Sequence, residues 1–292
     1  MSQRIDSIAK GLVLVSGLFL CQKVFCQNIE AEVKGPRPVE KAILMLEPAY
    51  GMAITYDDTL TVHPSLLEDL TDALRNPSAE PTDTESQQRH LFQKSRAITF
   101  SYQRRSSLPS LNGDPQEFEQ ETRAAIRSAL SSVLKGYAAS GGPETFSVTE
   151  DAGGFHVFPI NFLSESGELK TMAPILDTKI TIVPKQRSRM ELLEEICQAV
   201  TAGTGINVGV GTVSPNLMRT ATSISGTDQP VRSLLTRLMA ELKPTGVVVE
   251  ANGTKKVFIL PEGTDGPFSW SLLYGPGWGY ALNIDHVVLK AE

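Results

Sequence analysis

The sequence predicts an α+β protein, built as two small βαββαββ-type modules with hairpins and preceded by an N-terminal signal peptide. Three observations predict it. Residues 179–261 read strand, helix, strand, strand, helix, hairpin, residues 28–160 can be read in the same order, and a short apolar run behind basic residues precedes both. The expected organisation is a signal peptide over 1–26, a first module over 28–163 with a polar insertion at 57–96, a second module over 175–262, and an aromatic, glycine-rich tail over 263–292 ending in a strand.

The leader sets the compartment. Arg4 and Lys10 give a basic start, and 11–21 (GLVLVSGLFLC) is uncharged and mostly apolar. That run is too short to cross a bilayer as a helix, which takes about 20 residues, and it matches the apolar region of a signal peptide. Val24 and Cys26 stand at −3 and −1 of a cleavage site between Cys26 and Gln27. An exported chain, periplasmic or secreted, is expected, and retention of the leader as an anchor is the alternative. After cleavage Cys197 is the one cysteine left, so no internal disulfide forms and packing alone must hold the fold. The chain carries 27 Lys and Arg against 33 Asp and Glu, and losing the leader makes it more acidic. Such a balance argues against nucleic acid and anionic membrane as partners, and no membrane span is expected in the mature chain.

In the first module Ile29, Ala31 and Val33 alternate as a strand. Pro38 opens a short helix with Val39, Ala42, Ile43 and Leu46 on its apolar face, stopped by Pro48 and Gly51. Strands follow at 52–56 and 97–102. Asp114, Pro115 and Glu117 open the longest helix, whose buried face runs from Phe118 through Ile126 and Leu130 to Tyr137. A hairpin over 146–160 turns at Asp151-Ala152-Gly153-Gly154. Within the insertion, 60–74 reads as an amphipathic helix or extended arm, and 75–90 (RNPSAEPTDTESQQRH) is too polar to offset its ordering entropy and is expected to be a mobile loop.

The second module is the clearer copy. Residues 179–183 (KITIV) form a strand, and Ser188 with Glu191 has capping-box spacing ahead of the stripe Met190, Leu193, Ile196, Cys197, Val200. Gly203 and Gly205 close that helix, Ile206, Val208 and Val210 alternate as a strand, and 221–225 offers a weaker one. Asp228 is expected to cap a helix carrying Val231, Leu234, Leu235, Leu238, Met239 and Leu242. Strands at 247–251 and 255–260 flank Asn252-Gly253, the dipeptide of a type I′ hairpin.

On those residues the second module resembles a known family. MELLEEICQAVTAGTGINVGVG, then SISGTDQPVRSLLTRLMAELKPTGVVVEANGTKKVFIL, is similar to the secretin and TonB N-terminal short domain. The likeness is carried by Thr204-Gly205-Ile206-Asn207-Val208 and by Leu234-Leu235-x-x-Leu238, over about 179–261, and the first module is a looser relative. The resemblance implies a periplasmic docking module with no catalytic residues, working on a protein partner in the cell envelope. No pore or β-barrel segment follows in this sequence, so transport by the polypeptide itself is not expected.

Chemistry is sparsely signalled. His63, His90, His156 and His286 share no ligand spacing, Cys197 lies on an apolar stripe, and no nucleophile elbow or phosphate loop occurs. No enzyme activity, cofactor or metal is expected. The residues singled out as a candidate interaction surface are Trp270, Tyr274, Trp278 and Tyr280, aromatics on a glycine-rich stretch. They either grip a ligand or pack inward. A secreted enzyme or a glycan- or peptide-binding protein using this segment is the alternative reading.

Overall fold

The computed structural model describes residues 27–71, 90–104, 114–213, 220–241, 244–251, 254–261 and 267–287. The leader up to Cys26, most of the stretch expected to be mobile and the Asn252-Gly253 turn lie outside the described residues.

The first half runs β1 (Gln27–Gly35), α1 (Pro38–Tyr50), β2 (Ile54–Asp57), the short strands β3 (Leu67–Asp69) and β4 (Leu91–Gln93), β5 (Arg96–Arg104), α2 (Pro115–Ala139), β6 (Phe146–Asp151) and β7 (Gly154–Pro159). Two further short strands, β8 (Asn161–Leu163) and β9 (Leu169–Thr171), pair with each other on the way to the second half. That half runs β10 (Lys179–Ile182), β11 (Arg187–Ser188), α3 (Arg189–Thr204), β12 (Val208–Val213), β13 (Ala221–Thr222), β14 (Gly226–Pro230), α4 (Val231–Ala240), β15 (Pro244–Ala251), β16 (Thr254–Pro261), β17 (Phe268–Gly275) and β18 (Gly279–His286).

Local signals place most of these elements. Asp114 accepts the Gln116 N–H at the start of α2, and Ser188 and Glu191 close a full capping box on α3. Gly51 and Gly205 end α1 and α3 in the left-handed conformation, at φ 64° and 71°. Four expectations change. Pro48 does not stop α1 but sits in its last turn, where a missing N–H forfeits one bond at a fraying end. Asp228 does not cap α4: pairing with β10 carries β14 on to Pro230, and the Asp228 carboxylate turns to Lys179 at 3.4 Å. Of the two readings of 60–74 the helix is the one that changes: residues 60–69 follow the extended alternative, His63 accepting the Ser65 N–H to start a single 3₁₀ turn at Pro64, after which β3 finds β4 as its partner. The fourth change is larger and concerns the hairpins.

The two halves share one order of elements, βαββαββ, and one pattern of pairing. β1 pairs antiparallel with β5 as β10 does with β14, and β2 lies parallel to β7 of the β6–β7 hairpin as β12 lies parallel to β18 of the β17–β18 hairpin. The equivalent hairpins are therefore 146–159 and 268–286. The ribbon β15–β16, expected to close the second module, forms a two-stranded sheet of its own, with Ala251 opposite Thr254. The segment expected as a separate tail supplies the hairpin because it alternates Phe268, Trp270, Leu272, Tyr274 and then Tyr280, Leu282, Ile284, all buried in the second core. Its glycines and proline make the turn. The second half thus reaches 287, and the final strand ends at His286, short of the expected 289.

Both hairpins join one six-stranded sheet, ordered β12-β18-β17-β2-β7-β6. Strand directions in β12-β18-β17 run up, up, down, and in β2-β7-β6 down, down, up. Keeping the left-to-right order while reversing direction requires a half-turn about an axis lying in the sheet across its strands, and that operation exchanges the faces. Accordingly α1 and α2 cover the face of Phe155 and Val157, while α4 reaches the opposite face, where Arg232 lies over Phe158. Each half has its own core between its helices, its three strands and its two-stranded pair.

The equivalence extends to single contacts. Phe155 donates its N–H to the Ala53 carbonyl and Tyr280 donates to that of Asn207. The preceding Gly154 and Gly279 have φ 136° and 95°, and a Cβ on either would run into that same carbonyl. Gly154→Ala and Gly279→Ala are expected to cost about 1–3 kcal/mol each. Gly209→Ala, in open space without a positive φ, should change stability by less than about 0.5 kcal/mol. Chemical denaturation of the three variants checks this.

Candidate functional site

Of the four aromatics singled out as an interaction surface, the structure buries three. Trp270 and Tyr280 are 3% and 1% exposed and Tyr274 is buried beside Tyr280, whereas Trp278, at the turn, is 51% exposed. The reason is the strand alternation above, which points them into the second core. Their sequence crowding reflects a hairpin face, not a ligand platform.

Trp270 does meet chemistry-bearing groups, from the other half. His156 stacks on its indole with ring centroids 5.2 Å apart. The ring's Nδ1 lies 2.7 Å from Thr55 Oγ1 and its Nε2 lies 3.1 Å from Asp151 Oδ2, the latter outside hydrogen-bond alignment. A hydroxyl, an imidazole and a carboxylate in line could activate a nucleophile. Here Thr55 and His156 are each 2% exposed, and the indole of Trp270 covers the imidazole. Burial lowers the His156 pKa more than Asp151 raises it. The stack of His156 on Trp270 packs one half against the other.

Two arginines complete that junction. Arg232 of α4 donates to Asp57 at 2.7 Å and to Asp177 at 2.9 Å. Arg37 donates to Asp58 at 2.6 Å and also reaches the Tyr274 carbonyl. Asp58 further accepts Tyr56 Oη, Gln93 Nε2 and the amides of Thr59 and Tyr274. The pocket against it, between Arg37, Lys94, Tyr137 and Glu144, holds about 30 Å³, room for about two waters. On the sheet's first face Glu47 accepts the Ile54 N–H at 3.0 Å, and burial lifts its pKa to about 7. Cys197 is a buried core residue whose thiol burial pushes up to about 12. Among the described residues no group of three His, Cys, Asp or Glu could hold a metal, and no helix is long and apolar enough to cross a membrane.

A wider open feature lies elsewhere, at the end of the sheet. Among the described residues strand β6 is terminal, and between it and α2 runs a groove of about 650 Å³ lined by Arg127, Ser131, Leu134, Val148, Glu150 and Phe155. Its rim is charged, Arg127 and Arg123 both holding Glu150, and its floor is apolar. The orientation of the edge follows from the hairpin. Phe155 turns its N–H away to Ala53, so Glu150–Phe155 and Val148–Val157 are the non-bonded pairs, and the N–H groups of Val148 and Glu150 point to the open side. At the other end of the sheet β12 is likewise terminal. Sequence reasoning missed this edge, since an edge is defined by the absence of a neighbour. A hollow of about 420 Å³ between the halves, lined by Leu60, Phe162, Met172 and Ile206, contains none of the four aromatics.

No family model matches the chain, and no curated protein or solved structure matches it.

Proposed function

We propose that this chain is an exported, non-catalytic docking protein of the cell envelope, which takes up a strand of a protein partner along β6. One observation carries the reading: a terminal strand with outward N–H groups at Val148 and Glu150 lies beside an apolar groove under α2. Strand addition needs those two things, unpaired backbone groups for affinity and a side-chain groove for selectivity. The resemblance of 179–261 to the secretin and TonB N-terminal short domain, and the apolar leader, support the envelope setting. The enzyme or glycan-binding reading leaned on aromatics of which three are buried.

The test is Val148→Pro. Proline removes an outward N–H while leaving the bonds to β7 intact, so the fold should survive. Capture of an envelope partner by the immobilised mature chain should fall at least tenfold. Unchanged capture by a folded Val148→Pro protein would refute docking at this edge.

A further inference from the structure

We propose that the partner strand on β6 is the β12 edge of a second copy of this chain, so that copies add head to tail into a longer sheet. This rests on the reading of β6 as a docking edge and names its occupant. The argument is that the chain already contains one such junction. Strand β17 pairs parallel with β2 of the other half, Ser271 opposite Tyr56, and α4 overhangs that junction. From α4, Arg232 reaches Asp57 and covers Phe158, and Thr236 reaches Asp151.

Equivalent positions can be read off the shared landmarks. The helix-end glycines Gly51 and Gly205 align Tyr56 with Val210, and the hairpin glycines Gly154 and Gly279, through the strand registers, align Ser147 with Ser271 and Val148 with Leu272. On the helices, the buried positions Ile126, Ala129, Leu130, Val133 repeat the spacing of Val231, Leu234, Leu235, Leu238. Arg127 and Ser131 of α2 therefore stand where Arg232 and Thr236 stand on α4. In α4 those two side chains reach over the strands of the other half. In α2 they line the open groove. The strand equivalent to β2 that would fill it is β12, the other free edge of the same sheet.

The match makes specific contacts. Ser147 of one copy pairs with Val210 of the next, parallel, as Ser271 pairs with Tyr56. The face of β12 turned toward α2 is that of Gly209, which is exposed and has nothing within 4 Å of where a Cβ would be, so a helix can approach closely. Two half-turns restore strand direction, so copies follow by translation and the contact is heterologous and open-ended. It is weaker than the internal junction. Gly211 stands where Asp57 stands, so the buried ion pair has no counterpart and Arg127 stays with Glu150 at 2.7 Å. A register shift after Val210 also limits the usable edge of β12. Association is therefore reversible and depends on concentration.

Sedimentation velocity on the mature chain over a hundredfold concentration range tests this. Average mass is expected to rise with concentration without stopping at a dimer. Val148→Pro and Gly209→Arg should each weaken association at least tenfold, the latter by setting a cation against Arg127 in space that is empty in the single chain. Mixed one to one, they should form dimers and nothing larger, because Val148→Pro retains a sound β12 edge and Gly209→Arg a sound β6 edge. A monomer at every concentration, a closed dimer, or association untouched by Gly209→Arg would overturn the proposal. Should Val148→Pro still abolish partner capture while Gly209→Arg leaves it intact, docking at β6 stands and its occupant is another protein.

Discussion

Arg232→Met is expected to destabilise the protein by about 3–5 kcal/mol. The substitution leaves Asp57, only 2% exposed, charged and without its partner at the centre of the sheet. Burial alone works against the charge on Arg232, but Asp57 and Asp177 more than offset it and hold the guanidinium's pKa above its ordinary value. The two acids are not equivalent. Asp57→Asn leaves Arg232 its bond to the half-exposed Asp177 at 2.9 Å, so it should cost less than Arg232→Met. Adding Asp57→Asn to Arg232→Met should recover part of the loss, because the stranded charge is then gone. Urea unfolding of the three variants reads the differences. As Arg232 bridges halves whose cores are separate, Arg232→Met should also broaden the transition or split it in two.

Raising the pH from 5 to 8 is expected to weaken the fold through Glu47, and Glu47→Gln should abolish that part of the loss. Burial, opposed by bonds from the Ile54 amide and Ser269, lifts the Glu47 carboxyl from 4.5 to about 7. An acid whose folded pKa is raised contributes stability that is fully present below its unfolded pKa and disappears as pH climbs through the folded value. The window is therefore about pH 4.5 to 7, and the shift corresponds to about 3 kcal/mol. Glu40, lifted to about 7 mainly by burial, acts in the same direction, whereas His156, lowered by burial, acts in the opposite one. The difference between wild type and Glu47→Gln, measured at each pH, isolates Glu47. It should be small at pH 4 and favour the glutamine by about 3 kcal/mol at pH 8.

Local chemistry was legible and neighbourhood was not. Asp114, the Ser188–Glu191 box, Gly51 and Gly205 announce helix ends through bonds that span four residues or fewer, and each does so where expected. Asn252-Gly253 pointed just as clearly to a hairpin, and β15 and β16 do pair with that register. What the dipeptide could not tell is which hairpin joins the sheet. That choice was made by apolar alternation across 268–286, masked in sequence by Gly275, Pro276, Gly277 and Gly279, which read as a loop. The junction residues were invisible for a simpler reason. Thr55 and His156, or Asp57 and Arg232, are 101 and 175 residues apart, and no spacing rule links them. The β6 edge is still less legible, since it exists only once the strand order is known.

Site-resolved amide exchange on residues 27–292 is the most direct test of the shared sheet and its open edge. The expected result is that Leu272 and Leu282 exchange as slowly as Val157, while Val148 and Glu150 exchange fast in dilute protein and slow down on docking. Fast exchange at Leu272 and Leu282, or Val148 and Glu150 already protected in the dilute monomer, would contradict it.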